Sequence, residues 1–221
     1  MAGPFCILIS LFRTISIQDD TIFINEVHYQ NTGPDVTEFV EVAFVTGYSL
    51  AGVRLLFYDG GTGSVYKTTN LATDLSISDD DPANGFTFAS YSVYSFQNQV
   101  RNGPDAIALV DGSDTIIDFI SYGGEVTASD GPAFGQTARL MEVVEASNAN
   151  PTSSLQLGGS GFRPTEFTWQ GSQTATPASV NSGQTITCPN SAIGNTPLIL
   201  SSERQSVRER LDGLEIVPPS P

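Results

Sequence analysis

Apolar and polar positions along this chain alternate over short runs and do not recur at helical spacing. Between residues 19 and 187 the runs are rich in β-branched and aromatic residues and are bounded by Gly, Asn, Asp or Pro, the combination expected of strands separated by turns. Strands are predicted at 21–29, 38–45, 53–59, 65–68, 86–96, 105–110, 115–122, 154–157 and 166–170, with a last one at 184–187. In the third run Val53, Leu55 and Phe57 point one way and Arg54 the other. In the seventh, Ile116, Ile120 and Tyr122 alternate with Ile117, Phe119 and Ser121. Asp111-Gly112-Ser113-Asp114 between two runs reads as a hairpin, because Gly accepts the positive φ of a tight turn. About nine strands at this spacing predict an all-β fold, an immunoglobulin-like antiparallel β-sandwich. The single Trp169 and most of the 13 Phe then serve as core filling.

Between the runs, 74–84 reads as a polar surface loop, and 126–151 as loop with one helical turn at 139–145. Gly158-Gly159-Ser160-Gly161 reads as a flexible turn between strands, not as a phosphate cradle. The pattern stops after residue 187. Residues 188–221 form a polar tail with a short charged helix at 203–215 and a Pro-rich end. At the other end, residues 1–18 contain an apolar run of signal-peptide length with Cys6 inside it and Arg13 beyond it. They read as a leader, too short for a membrane span of ~20 residues. Removing the leader would leave Cys188 unpaired. This organisation predicts a secreted or cell-surface protein.

The net charge of −15 resides entirely in 19–187, where 20 acids face 5 Lys and Arg. A field of that sign repels phosphate backbones, so no direct nucleic-acid binding is expected. Chemistry centres on 24–42, which holds the only histidine, His28, with Glu26, Glu38 and Glu41. Glu26 and His28 fall on one face of a regular strand, the face that begins with Ile22 and Ile24. Glu26 would then need a partner from His28, Arg54 or backbone N–H groups. One reading is a carboxylate–imidazole pair or a cation site. The other is a hydrogen-bond network that fixes the register of the first two strands. Glu38 and Glu41 face opposite sides of a strand, and one His falls short of a structural zinc site. For calcium, the candidates are Glu26, His28 and the run Asp79, Asp80 and Asp81, which lacks the spacing of an EF-hand loop. No Gly-X-Ser-X-Gly elbow occurs, and no catalytic residue and no organic cofactor is expected.

Three ordered blocks resemble the lamin-tail domain in its extracellular, microbial form. They are IFINEVHYQNTGPDVTEFVEV (22–42), NGPDAIALVDGSDTIIDFISYGGEVTASDGPAFG (102–135), and SLQLGGSGFRPTEFTWQ (154–170) followed by ASVNSGQTI (178–186). The resemblance implies an immunoglobulin-like sandwich over 19–187 and a non-catalytic module that docks a protein or glycan. Similar modules accompany secreted nucleases and other hydrolases, so an accessory domain or fragment of an extracellular nuclease or phosphodiesterase is the alternative. A calcium-dependent adhesion module is a third. Contact surfaces are expected in the loops at 29–35, 74–84 and 123–135, where side chains project from a rigid scaffold.

Overall fold

The alternating runs become two sheets in the computed structural model, which describes residues 22–34, 37–74, 76–78, 86–92 and 100–186. The leader at 1–18, the tail at 188–221, and with them Cys6 and Cys188, lie outside the described residues, as do Asp79, Asp80 and Asp81. Twelve strands form among the described residues. The first six are β1 (Ile22–His28), β2 (Phe39–Val45), β3 (Arg54–Asp59), β4 (Val65–Asn70), β5 (Ser76–Ser78) and β6 (Phe86–Ser92). The rest are β7 (Asp105–Val110), β8 (Ile116–Tyr122), β9 (Arg139–Leu140), β10 (Ser153–Gly161), β11 (Thr168–Thr174) and β12 (Gln184–Ile186). One sheet runs β11–β10–β1–β2–β6–β5 with β12 beside β10, and the other runs β4–β3–β7–β8–β9. The expected all-β sandwich is present.

Ile22, Ile24, Val27, Val40, Val42, Leu155 and Leu157 of the first sheet share one core with Leu55, Phe57, Ile107, Leu109, Ile120 and Tyr122 of the second. Each large side chain taken out of water there contributes roughly 1.5–3 kcal/mol. The outer face of the second sheet is buried too. Leu56, Tyr58, Ala106, Ala108, Val110 and Phe119 lie under Val126, Ala128, Ala133 and Ala138 of the following loop.

Several local expectations are corrected. In β3 Leu55 and Phe57 do share a face, and on the opposite one, beyond Arg54, Leu56 and Tyr58 enter the second cluster. A bulge in β8, where Leu109 faces Asp118 and Val110 faces Ile116, breaks the alternation there. Ile117 therefore joins Ile120 and Tyr122 in the main core. Gly158–Gly161 is the end of β10, with Gly158 opposite Thr168 and Gly159 to Gly161 paired with β12. Residues 139–145 hold β9 and no helical turn. The 74–84 stretch begins at the close of a four-residue helix, α1 (Leu71–Asp74), and contains β5. Two pairings, β8 with β9 and β10 with β12, are parallel.

Candidate functional site

The opening hairpin owes its polar chemistry to one extra residue in β1. Ile22 pairs with Phe44 and Ile24 with Val42, but then Glu26 pairs with Glu41, Val27 with Val40 and His28 with Phe39. Asn25 is a bulge. Directly paired residues share a face, and alternate residues of β2 point the same way. Ile22, Ile24 and Val27 consequently continue along the core face, whereas Phe23, Glu26 and His28 turn to the outer face with Phe39, Glu41 and Ala43. Glu26 and His28 do share a face, but it is the one opposite to Ile22 and Ile24.

That outer face does not meet solvent. Asn25, Glu26, His28 and Glu41 are fully buried. The cover is the segment that follows β11, residues 175–183, here called the strap. Glu26 Oε1 accepts from Ser154 Oγ at 2.5 Å, Gln156 Nε2 at 3.0 Å and the Thr176 amide at 2.8 Å. The Thr176 hydroxyl reaches Glu26 Oε2 at 3.2 Å. Glu41 Oε1 accepts from Asn25 Nδ2 at 3.0 Å, and its Oε2 takes the Ala178 amide at 2.5 Å. Asn181 Nδ2 donates to the carbonyls of Asn25 and Leu157, and Gln184 Nε2 donates to Asn25 Oδ1. Two glutamates side by side in adjacent strands thus hold the strap by its backbone. Burial raises the Glu26 carboxyl above its usual range, and the donors from Ser154, Thr176 and Gln156 pull it partly back. The expected partners His28 and Arg54 are not used; Thr176 supplies the expected backbone N–H.

His28 turns to another carboxylate. Its Nδ1 lies 2.8 Å from Glu145 Oε1, while Glu145 Oε2 accepts the amides of Tyr29 at 2.6 Å and Gln30 at 2.9 Å. The Glu145 amide donates to the Tyr29 hydroxyl at 2.8 Å, and the Tyr29 ring stacks on Tyr122 with centroids 4.3 Å apart. This closes a reciprocal clamp between the end of β1 and the 141–152 loop. The other ring nitrogen, Nε2, is buried with no hydrogen-bond partner among the described residues. Glu38 is separate again, its Oε2 accepting the Val100 amide at 2.9 Å. Glu26 with Glu41, His28, and Glu38 thus serve three separate tasks.

Other acids repeat the device. Asp111 caps the amides of Thr115 and Ser113, Asp59 accepts the hydroxyl and then the amide of Thr62 in its glycine-rich turn, and Glu166 caps the amides of Phe162 and Arg163. Those bonds hold all three carboxyls below their usual range. Buried acids move the other way. Burial raises Asp105, opposite Asp59 in the β3–β7 register, and Asp118, which Arg139 at 3.3 Å and the Ile24 amide pull back. Asp118 sits at the bulge of β8 and Ile24 at that of β1, so the two irregularities meet across the sandwich.

Two grooves flank the strap. One, of about 250 Å³, is lined by Thr37, Phe39, Pro151, Thr174, Ala175 and Pro177. The other, of about 240 Å³, is lined by Gly158, Gly159, Gln170, Gln173, Ser182 and Gly183, without a charged residue. Among the described residues no three of His, Cys, Asp and Glu converge as metal ligands would. No helix among them is long and apolar enough to cross a membrane.

Glu145, Gln156, Thr176 and Asn181 complete the network and escape sequence reasoning, because they lie 117 to 156 residues from their partners in β1. The one visible signal was in β10, where Ser154 and Gln156 alternate with Leu155 and Leu157. No protein-family model matches the sequence, and no curated protein or solved structure is significantly similar to it.

Proposed function

We propose that this chain is a non-catalytic binding module of the lamin-tail kind, secreted or at the cell surface, that docks a protein or glycan partner. One observation carries the reading: Glu26, His28, Glu41 and Glu145 are buried, and each is bonded to groups of its own fold. Groups that would do acid–base work need access to the reacting atoms; these are bonded to backbone amides and side chains of their own fold. The three blocks that carry the lamin-tail resemblance also become neighbours. The first forms the β1–β2 hairpin, the third supplies β10 and the strap against it, and the middle one forms β7 and β8 of the facing sheet.

Of the loops expected to carry contacts, 123–135 fits best. It is tied to the second sheet by bonds from Val65 to Asp130, Ser129 to Gly63 and Ala133 to Tyr58, and it leaves Phe134 71% exposed at its tip. A fixed loop that presents an aromatic ring loses little entropy on docking. Tyr29, in contrast, is consumed by its stack on Tyr122.

The test is His28→Ala in the purified protein. It should lower the urea midpoint and leave any hydrolytic background unchanged. Turnover in the parent that vanishes in the variant, with the circular dichroism and midpoint preserved, would overturn the reading.

A further inference from the structure

Among the described residues the two sheets end at β5, β11, β4 and β9, with the three-residue β12 beside β10, and all of these but β11 are short or guarded. β5 and β9 are only three and two residues long, and β4 carries Lys67. Short edges and lysines keep other strands from adding to a sheet. β11 is different. Its seven residues, Thr168 to Thr174, include no charge and no proline, and among the described residues it pairs only with β10. Its one irregularity is a bulge, where Gly171 and Ser172 together face Leu155. Ladder positions remain on both sides of it.

The surroundings of this edge are as unusual as the edge. In a domain of net charge −15, residues 146–187 contain one arginine, Arg163, and one glutamate, Glu166. On the outer face, between Ser182 and Gly183 of the strap and Gln170 and Gln173 of β11, lies an uncharged groove of about 240 Å³ floored by Gly158 and Gly159 of β10. Strand addition uses these parts in combination: backbone groups along an edge give affinity, and room for alternate side chains gives selectivity. The acidic body repels a second copy of itself and draws in a segment of opposite sign.

We propose that β11 accepts an extended peptide segment of net positive charge as an added strand, its alternate side chains lying against Gln170 and Gln173, the outer wall of that groove. This names a surface separate from the 123–135 loop. It rests on the binding-module reading for its purpose, and its failure leaves a loop-borne partner untouched.

Trp169 is the only tryptophan of the chain and lies on this strand with its ring in the main core, so its emission reports a change in the packing of β11. The full chain is titrated with a heptapeptide that alternates valine and threonine and has lysine at both ends. The controls are the same peptide N-methylated at alternate residues and a version with glutamate ends. The expected result is saturable change in Trp169 emission and slowed amide exchange across 168–174, with each control at least about tenfold weaker. Gly171 has open space around its Cβ position and no left-handed φ, so Gly171→Lys installs a guard without strain and should weaken binding by a similar factor. Equal binding of the methylated peptide would mean attraction by charge alone and would overturn the proposal. So would protection confined to other strands. Sedimentation of the peptide-free chain supplies the remaining arm: a dimer that strengthens with salt and is dissolved by Gly171→Lys would assign the edge to a second copy instead.

Discussion

Each sheet covers the outer face of its central strands, and the two do it with opposite chemistry. On the second sheet the cover is apolar: alanines and Val126 of the 123–138 loop lie on Leu56, Tyr58 and Phe119. On the first, the strap is held by Glu26 and Glu41 through its amides at Thr176 and Ala178. Apolar cover needs only shape and is indifferent to pH. Carboxylate cover specifies one register, because each oxygen must meet its own donors, and it couples the fit of the strap to protonation. The comparison shows why so acidic a domain can have acids in its interior: several of them take the place that a β-ladder or a helix cap would fill.

Breaking the apolar side should cost most. Tyr58→Ala empties a fully buried ring site and removes the acceptor of the Ala133 amide, so about 3–5 kcal/mol is expected, with little change between pH 5 and 8 in urea melts. Glu41→Ala breaks the polar side by leaving the Ala178 amide and Asn25 Nδ2 without their acceptor. About 1–3 kcal/mol should be lost. Limited proteolysis should then cut first within 175–183, whereas Tyr58→Ala should show no such preference.

The pH dependence sharpens the contrast. The folded protein raises Glu26 above its reference value of 4.5, so its neutral form is favoured by folding. Relative to acid, stability is therefore lost as pH rises from about 4.5 through the folded value. Glu26→Gln cannot ionise, keeps an acceptor for Ser154, Gln156 and Thr176, and should flatten that part of the curve. The lowered acids Asp59, Asp74, Asp111 and Glu166 act with the other sign, stabilising above their unfolded values and losing that contribution as pH falls through the folded ones. The smallest effect should come from Asp111→Ala. It should hardly move the urea midpoint, yet it should speed amide exchange at Ser113 and Thr115.

Strand identity was legible because alternation is local. The runs at 105–110 and 115–122, and the Asp111 turn between them, emerge within a residue of their expected places. Bulges were not legible. Nothing in INEVH announces that Asn25 is skipped, and that one skip decides which face receives Glu26 and His28. Nor could the second apolar layer on β3 be foreseen, since Arg54 at its start resembles the first residue of a wet face. For the site, spacing within the hairpin separated Glu38 from Glu41, and of the partners expected for Glu26 a backbone N–H is used while His28 and Arg54 are not. Its true partners arrive from β10 and the strap, more than a hundred residues on, where a serine or glutamine in a strand carries no mark of its destination.

Placing β1 between β2 and β10 also sets an order in time. Its first neighbour follows within 20 residues, but the second is separated by about 130, as the pairing of Glu26 with Gln156 shows. While the chain is being made, β1 can close with β2 early and must wait for nearly the whole domain before its other edge is filled. Long-range pairing of this kind slows folding and leaves an open strand edge in the interval. The central hairpin of the finished sheet is thus the exposed edge of the unfinished one. The glutamates that later fasten the strap spend that interval in water, charged, in the one role where an edge most needs a charge to keep other strands away.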